Sequence, residues 1–189
     1  MLSDRELEKI NPKDNLSMRP EWDDYFLSMS FLAARRSFDP SSKCGCVIVS
    51  RDKRVLSVGY NGPIRGSVDE EIPLTRPERY KFMLHGEENA LLAYNGSYQD
   101  IQNSIAYITG RPCSKCLRMM IHKGITRIVY GGNITKVVDK EDMDAQLIML
   151  KHHPEVSIEE ISNNGAKAIF TEAIGYMEMK DKVSPIWYM

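Results

Sequence analysis

His85 and Glu87 stand two residues apart in His85-Gly86-Glu87, and Pro112-Cys113-Ser114-Lys115-Cys116 follows further along the same chain. One imidazole and two thiolates suit zinc, which in catalytic sites takes three protein ligands and keeps a fourth position for water. Cysteines three apart at a helix start can turn both sulfurs toward one ion, the first from the helix entry and the second from its first turn. The opening amides of such helices, together with a dication, favour the thiolate form. Glu87, two residues from His85, can lie beside the water without joining the coordination shell. From there a carboxylate can take a proton from an attacking water and return it to a ring nitrogen and a leaving amine.

A Cys-x-x-Cys with a distant histidine is, on its own, more often a structural zinc site or a pair of core thiols. A structural site also wants a fourth ligand, and His122, His152 and His153 lie in segments with no second cysteine nearby. The added Glu and Pro, each at its own offset, complete H-x-E followed by P-C-x-x-C, which is the signature of zinc deaminases. The expectation is one catalytic Zn2+ per chain, held by His85, Cys113 and Cys116, with Glu87 as the acid/base. Cys44 and Cys46 alternate around Gly45 and point the same way along a strand. They are expected as small buried hydrophobes rather than as a second metal site.

These residues need a scaffold, and the apolar pattern supplies one. Trp22, Tyr25, Phe26, Met29, Phe31, Leu32 and Ala33 give an apolar stripe at helical spacing after Pro20, ending before Asp39-Pro40. Strands are predicted at 44–50 and 55–60 around a hairpin turn, then at 104–109, 126–130 and 156–161. Helices are predicted near 86–94, 114–123, 139–151 and 166–179, with Gly124 closing the second of these. An initial hairpin followed by alternating helices and strands implies a three-layer α/β/α sandwich with a mixed five-stranded sheet. The segment 64–82 is charged, rich in Pro and Arg, and aperiodic; a loop of that length is usually functional.

The chain has 189 residues, 42% hydrophobic and 27% charged, as expected of one globular domain. Residues 1–18 read as an N-terminal arm, 19–162 as the zinc-dependent domain, and 163–189 as a helical extension packed on it. The terminal Trp187-Tyr188 pair reads as a packing or subunit-contact element. A formal net charge of −1 gives no basic surplus for a polynucleotide partner. Neither an export signal nor a spanning segment is evident, so the expected location is the cytoplasm, that of the host if a phage encodes the chain.

From Tyr25 to Ile161 the sequence resembles deoxycytidylate (dCMP) deaminases, cellular and bacteriophage. The resemblance runs through Ala34-Arg35-Arg36-Ser37-Phe38-Asp39-Pro40, Val47-Ile48-Val49, Gly59-Tyr60-Asn61-Gly62-Pro63 with Arg65-Gly66, His85-Gly86-Glu87-Glu88-Asn89-Ala90, and Pro112 to Cys116. It implies hydrolysis of dCMP to dUMP with release of ammonia, a homohexamer, activation by dCTP with Mg2+, and inhibition by dTTP. By the same resemblance Asn61 would bond the deoxyribose and Arg36 with Ser37 would lie near the 5′-phosphate. Gly59, Tyr60, Asn61 and Gly62 would take part in the regulatory nucleotide site. An Arg at a helix end can grip phosphate through a planar fork of donors, which separates a nucleotide from a nucleoside. Lys43, Arg65, Arg76 and Arg79 are the nearby cations that a regulatory triphosphate would need.

The chain departs from the family at three places. Gly86 stands where the family usually has Ala, and no Cys or His between Gly66 and His85 could make the second structural zinc of some phage members. After Tyr130 the phosphate-contacting Tyr of some relatives has no counterpart, leaving Lys136 or Lys140 as substitutes. The rival readings are a free cytidine or deoxycytidine deaminase, or an inactive nucleotide-sensing zinc module.

Overall fold

The computed structural model describes residues 19–132 and 139–182. The arm 1–18, Lys136 and Trp187-Tyr188 lie outside the described residues. Helix α1 (Trp22–Ala34) is followed by strands β1 (Gly45–Val49) and β2 (Val55–Tyr60). A short ribbon pairs β3 (Gly62–Pro63) with β4 (Met83–Leu84), closing the ends of the 64–82 segment. Then come α2 (Gly86–Ala93), α3 (Tyr98–Ile101), β5 (Ile105–Ile108), α4 (Ser114–His122), β6 (Arg127–Gly131), α5 (Lys140–His152), β7 (Ser157–Ile161) and α6 (Asn164–Lys182).

The main sheet has the order β2-β1-β5-β6-β7, with β1 antiparallel to both neighbours and β5, β6 and β7 parallel. This is the expected mixed five-stranded sheet. Alternation along the central strands sorts side chains into two layers. Cys46, Ile48, Ala106, Ile108 and Ile128 pack against α2 and α4, whereas Val47, Val49, Tyr107 and Val129 pack against Phe26 and Leu27 of α1 and Ala166 of α6. Every residue of β1 is buried, which is why it reads as a continuous apolar run.

Local chemistry sets the ends of the elements that matter for the site. Gly124 takes a φ of +90 and its amide bonds the carbonyl of Ile121, ending α4 as a left-handed glycine does. Asp139 caps α5 by accepting from the Asp142 amide at 2.7 Å. The four-residue helix α3 was not expected: it is one turn, capped by Ser97, too short to show a period.

The 64–82 segment holds two 3-10 turns, Asp69–Glu71 and Glu78–Lys81. It is anchored to the turn after α1. Arg79, only 2% exposed, pairs with Asp39 at 3.1 Å and donates to the Leu74 carbonyl, and Arg76 donates to the Ser42 hydroxyl at 3.3 Å.

Candidate active site

Both halves of the sequence motif fall at helix starts on the same face of the sheet. His85 is the N-cap of α2, Cys113 is the N-cap of α4, and Cys116 sits buried in the first turn of α4. His85 Nδ1 lies 3.5 Å from Cys113 Sγ and 3.3 Å from Cys116 Sγ, and among the described residues these three form the one cluster with metal-ligand spacing.

The donor set fits zinc. With Zn–S near 2.3 Å and Zn–N near 2.05 Å, two corners of a tetrahedron lie about 3.6 Å apart, close to both observed separations. The thiols are already polarised. The bond from Cys116, with His85 beside it, brings the Cys113 thiol down to about 4 against the opposing effect of burial. Cys116 is pushed upward by that same bond, by burial and by the nearby Glu87 carboxylate. A divalent ion at this place would displace the thiol protons and take both sulfurs as thiolates.

Glu88 and Lys115 fix the two helices to each other. Glu88 accepts from the His85 amide at 2.9 Å, closing the first turn of α2, and pairs with Lys115 of α4 at 2.6 Å. Behind α4 stands a second support. Gln146 of α5, wholly buried, donates to the Pro112 carbonyl at 3.0 Å and to Asp142 at 2.8 Å, while Asp142 accepts from the Ser114 amide at 2.9 Å. The metal-ligand turn is therefore held by bonds to both its carbonyl and its amide side.

A cleft of about 610 Å³ opens over this centre. Its floor includes His85, Glu87 and Cys113; Glu87 is 5% exposed, so its carboxylate is confined to the cleft and screened from bulk water. One wall is the stretch Asp39 to Cys44 with Asn61, another comes from the 64–84 segment, and the third carries Ile108, Gly110, Arg111 and Lys115.

Asn61 lines the cleft, and its side chain spans the wall: Oδ1 accepts from the Cys44 amide at 2.7 Å and Nδ2 donates to the Ser42 carbonyl at 2.9 Å. Arg36 and Ser37 do not line the cleft. The chain leaves α1 in a tight turn, with Arg36 and Ser37 amides bonded to Ala33 and Ala34, which puts Arg36 on the exposed side. Ser37, 2% exposed, instead accepts from the Asp39 amide.

Among the cations expected near a regulatory triphosphate, Arg79 is matched by Asp39, and Arg76 lies against Ser42 and over the Tyr80 ring. Arg65 is exposed, and Lys43 donates to the Ser37 carbonyl. Lys140 pairs with Asp144 on the surface of α5.

The two cysteines of the hairpin also separate. Cys46 is core, whereas Cys44 lies just before β1 and lines the cleft, so it is not the buried hydrophobe expected of it. Sequence reasoning missed the supports Glu88, Asp142 and Gln146, and it missed Arg111; only Glu88, three residues after His85, carried a local signal, that of a capping box.

Neither Tyr60 nor the glycines of Gly59-Tyr60-Asn61-Gly62 line the cleft. Asn89 of α2 donates to the Tyr60 carbonyl at 2.9 Å, which ties this loop to the helix of His85 and Glu87.

The family described as the cytidine and deoxycytidylate deaminase zinc-binding region matches residues 20–132. The chain is 31% identical over 137 residues to a deoxycytidylate deaminase of Mus musculus, covering 69% of this chain and 75% of that one. It is 34% identical over 128 residues to the deoxycytidylate deaminase of Mycobacterium phage D29, covering 59% and 95%. The dCMP deaminase of cyanophage S-TIM5, solved in apo form and in complex with dCMP and dUMP, shares the fold at TM-scores of 0.56 and 0.55 and 23% identity. It spans 76% of this chain and 99% and 98% of those. On the family match and the identity to its relatives, this chain belongs to the zinc-binding cytidine and deoxycytidylate deaminases.

Proposed function

We propose that this protein hydrolyses dCMP to dUMP and ammonia. The observation that carries the reading is the convergence of His85, Cys113 and Cys116 within one ligand sphere on the floor of a cleft that also holds Glu87 and several cations. The names of the relatives support the choice of dCMP.

Zinc held by these three residues would supply the Lewis acidity that makes a water nucleophilic at neutral pH. Glu87 takes one proton from the attacking water and passes it to N3 of the pyrimidine, then takes the proton of the hydroxyl now bound at C4 and passes it to the amino group, which leaves as ammonia while the C4 carbonyl forms. The 64–84 segment, as one wall of the cleft, limits bulk water around Glu87 and strengthens each charge interaction there. Asn61, already fixed by Ser42 and Cys44, keeps one amide hydrogen for the deoxyribose.

The finer reading is a homohexamer activated by dCTP with Mg2+ and inhibited by dTTP. Val55 and Val58 on β2 and Leu92 on α2 are exposed apolar groups that subunit contacts would cover. The Asn89 bond gives a regulatory ligand on the Gly59–Gly62 loop a direct hold on α2. In the described residues no helix is long and apolar enough to cross a membrane; the cytoplasm is the proposed location.

The test is ammonia release with dCMP, deoxycytidine and cytidine as separate substrates, with metal content measured on the same sample. Turnover that favours either nucleoside over dCMP would overturn the substrate.

A further inference from the structure

We infer that Arg111 reads the 5′-phosphate and so separates nucleotide from nucleoside in this cleft; the inference rests on the dCMP reading above.

The cleft cations are not equivalent. Arg79 and Lys115 are each matched by a carboxylate, Asp39 at 3.1 Å and Glu88 at 2.6 Å. Arg76 is exposed at the rim, where it lies over Tyr80 and bonds a hydroxyl. Lys43 is turned to the Ser37 carbonyl.

Arg111 differs from all of these. It is half-buried, and among the described residues its partners are neutral: Nε donates to Gln146 Oε1 at 3.2 Å and Nη1 to the Tyr130 hydroxyl at 3.2 Å.

Those two acceptors are themselves fixed. The Gln146 amide is wholly buried and spends its Nε2 on Pro112 and Asp142, so its oxygen must face Arg111. Tyr130 donates its proton to Glu160 at 3.0 Å, so its lone pairs are what Arg111 meets. The guanidinium, 5.8 Å from the centre of the Tyr130 ring, is thus held along its Nε and Nη1 side, while among the described residues no hydrogen bond is made by Nη2.

A half-buried guanidinium that, among the described residues, bonds only neutral groups, with Glu160 and Asp142 one bond further out, can still take a dianionic phosphate through planar, paired hydrogen bonds. A nucleoside offers nothing of the kind. Arg111 also belongs to the turn that carries Cys113, so the position of the phosphate and that of the metal centre are set by one piece of backbone.

The experiment compares the zinc-loaded protein with Arg111→Met and Arg111→Gln, the second keeping a donor toward Gln146 should the first fail to fold. The readouts are kcat/KM for dCMP and deoxycytidine and, by calorimetry, the Kd of dUMP. The expected result is a fall of about 10- to 100-fold in the dCMP/deoxycytidine ratio, with a matching loss of dUMP affinity, the scale for removing hydrogen bonds to a charged group. A wild type that prefers dCMP and variants that keep its ratio would overturn the role of Arg111 while leaving the substrate intact. A wild type with no preference for dCMP would overturn the substrate reading, and the inference with it.

Discussion

Gln146 Nε2 donates to the Pro112 carbonyl at 3.0 Å, from a position in α5 that is wholly closed to solvent. Pro112 leads directly into Cys113, so this bond sets the direction from which the first thiolate enters the site. Replacing Gln146 by Leu leaves the carbonyl buried without that donor and removes the acceptor behind Arg111. The expected cost is about 1–3 kcal/mol in stability. Zinc affinity should fall about 10- to 100-fold, as for other groups that orient metal ligands. Chelator competition and urea denaturation of zinc-free protein separate the two effects; unchanged zinc affinity would remove Gln146 from any part in holding the turn.

Glu87 is the group whose loss should spare the metal and abolish the chemistry. Glu87→Gln keeps size and packing at a 5% exposed position but cannot accept the proton. One zinc per chain should remain by metal analysis, with turnover at least about 10²-fold lower. Turnover near that of the parent would mean that another group moves the protons.

The legibility of this protein from sequence follows the range of its interactions. The His85, Cys113 and Cys116 cluster, with Glu87 in the same cleft, was readable because offsets within two short segments are what such chemistry asks for. The sheet was readable because β1, β5 and β6 bury both faces and so show as apolar runs. Arg79 and Asp39 meet across the whole hairpin, and Gln146 meets Pro112 through the packing of α5 on α4. No local pattern marks such pairs. Arg36 shows the same limit: whether a residue at a helix end faces a cleft or solvent depends on the turn that follows, and here that turn leaves Arg36 exposed and carries Asp39 to Cys44 inward.

Acid should weaken the far side of the sheet first. Arg127 bonds both Asp23 of α1 and Glu159 of β7 at 2.7 Å, and its guanidinium holds both carboxyls below the usual carboxylate range. A carboxyl lowered in the folded state adds stability that is complete above its unfolded value, about 4, and is lost as pH falls through the folded one. All three side chains are partly exposed, so the contribution is screened to about 1 kcal/mol. Arg127→Met should therefore be less stable than the parent by about that amount near pH 7, with the gap closing as pH falls from the unfolded carboxylate range through the lowered folded-state one. Denaturant midpoints across that range check it; a gap independent of pH would assign the loss to packing.

Regulation, if it acts through the Gly59–Gly62 loop, has a short mechanical path. A Cβ on Gly59 would lie 2.2 Å from the Ala90 nitrogen and 2.3 Å from the Gly86 carbonyl oxygen, so β2 and α2 touch backbone to backbone at the first residue of this loop. Asn89 adds its bond to the Tyr60 carbonyl, and Asn61 ties the same loop to the cleft wall through Cys44. Contacts this close leave little freedom for independent movement, so a nucleotide that shifts the loop must shift the helix start that presents His85 and Glu87. In a hexamer whose subunit interfaces have two packings, each ligand would bias the choice between them. The expected outcome is sigmoidal dependence of rate on dCMP that becomes hyperbolic with dCTP and Mg2+ and more sigmoidal with dTTP. Curves that are hyperbolic from the start and unmoved by either triphosphate would show that the close packing of Gly59 on α2 serves only to hold the active site together.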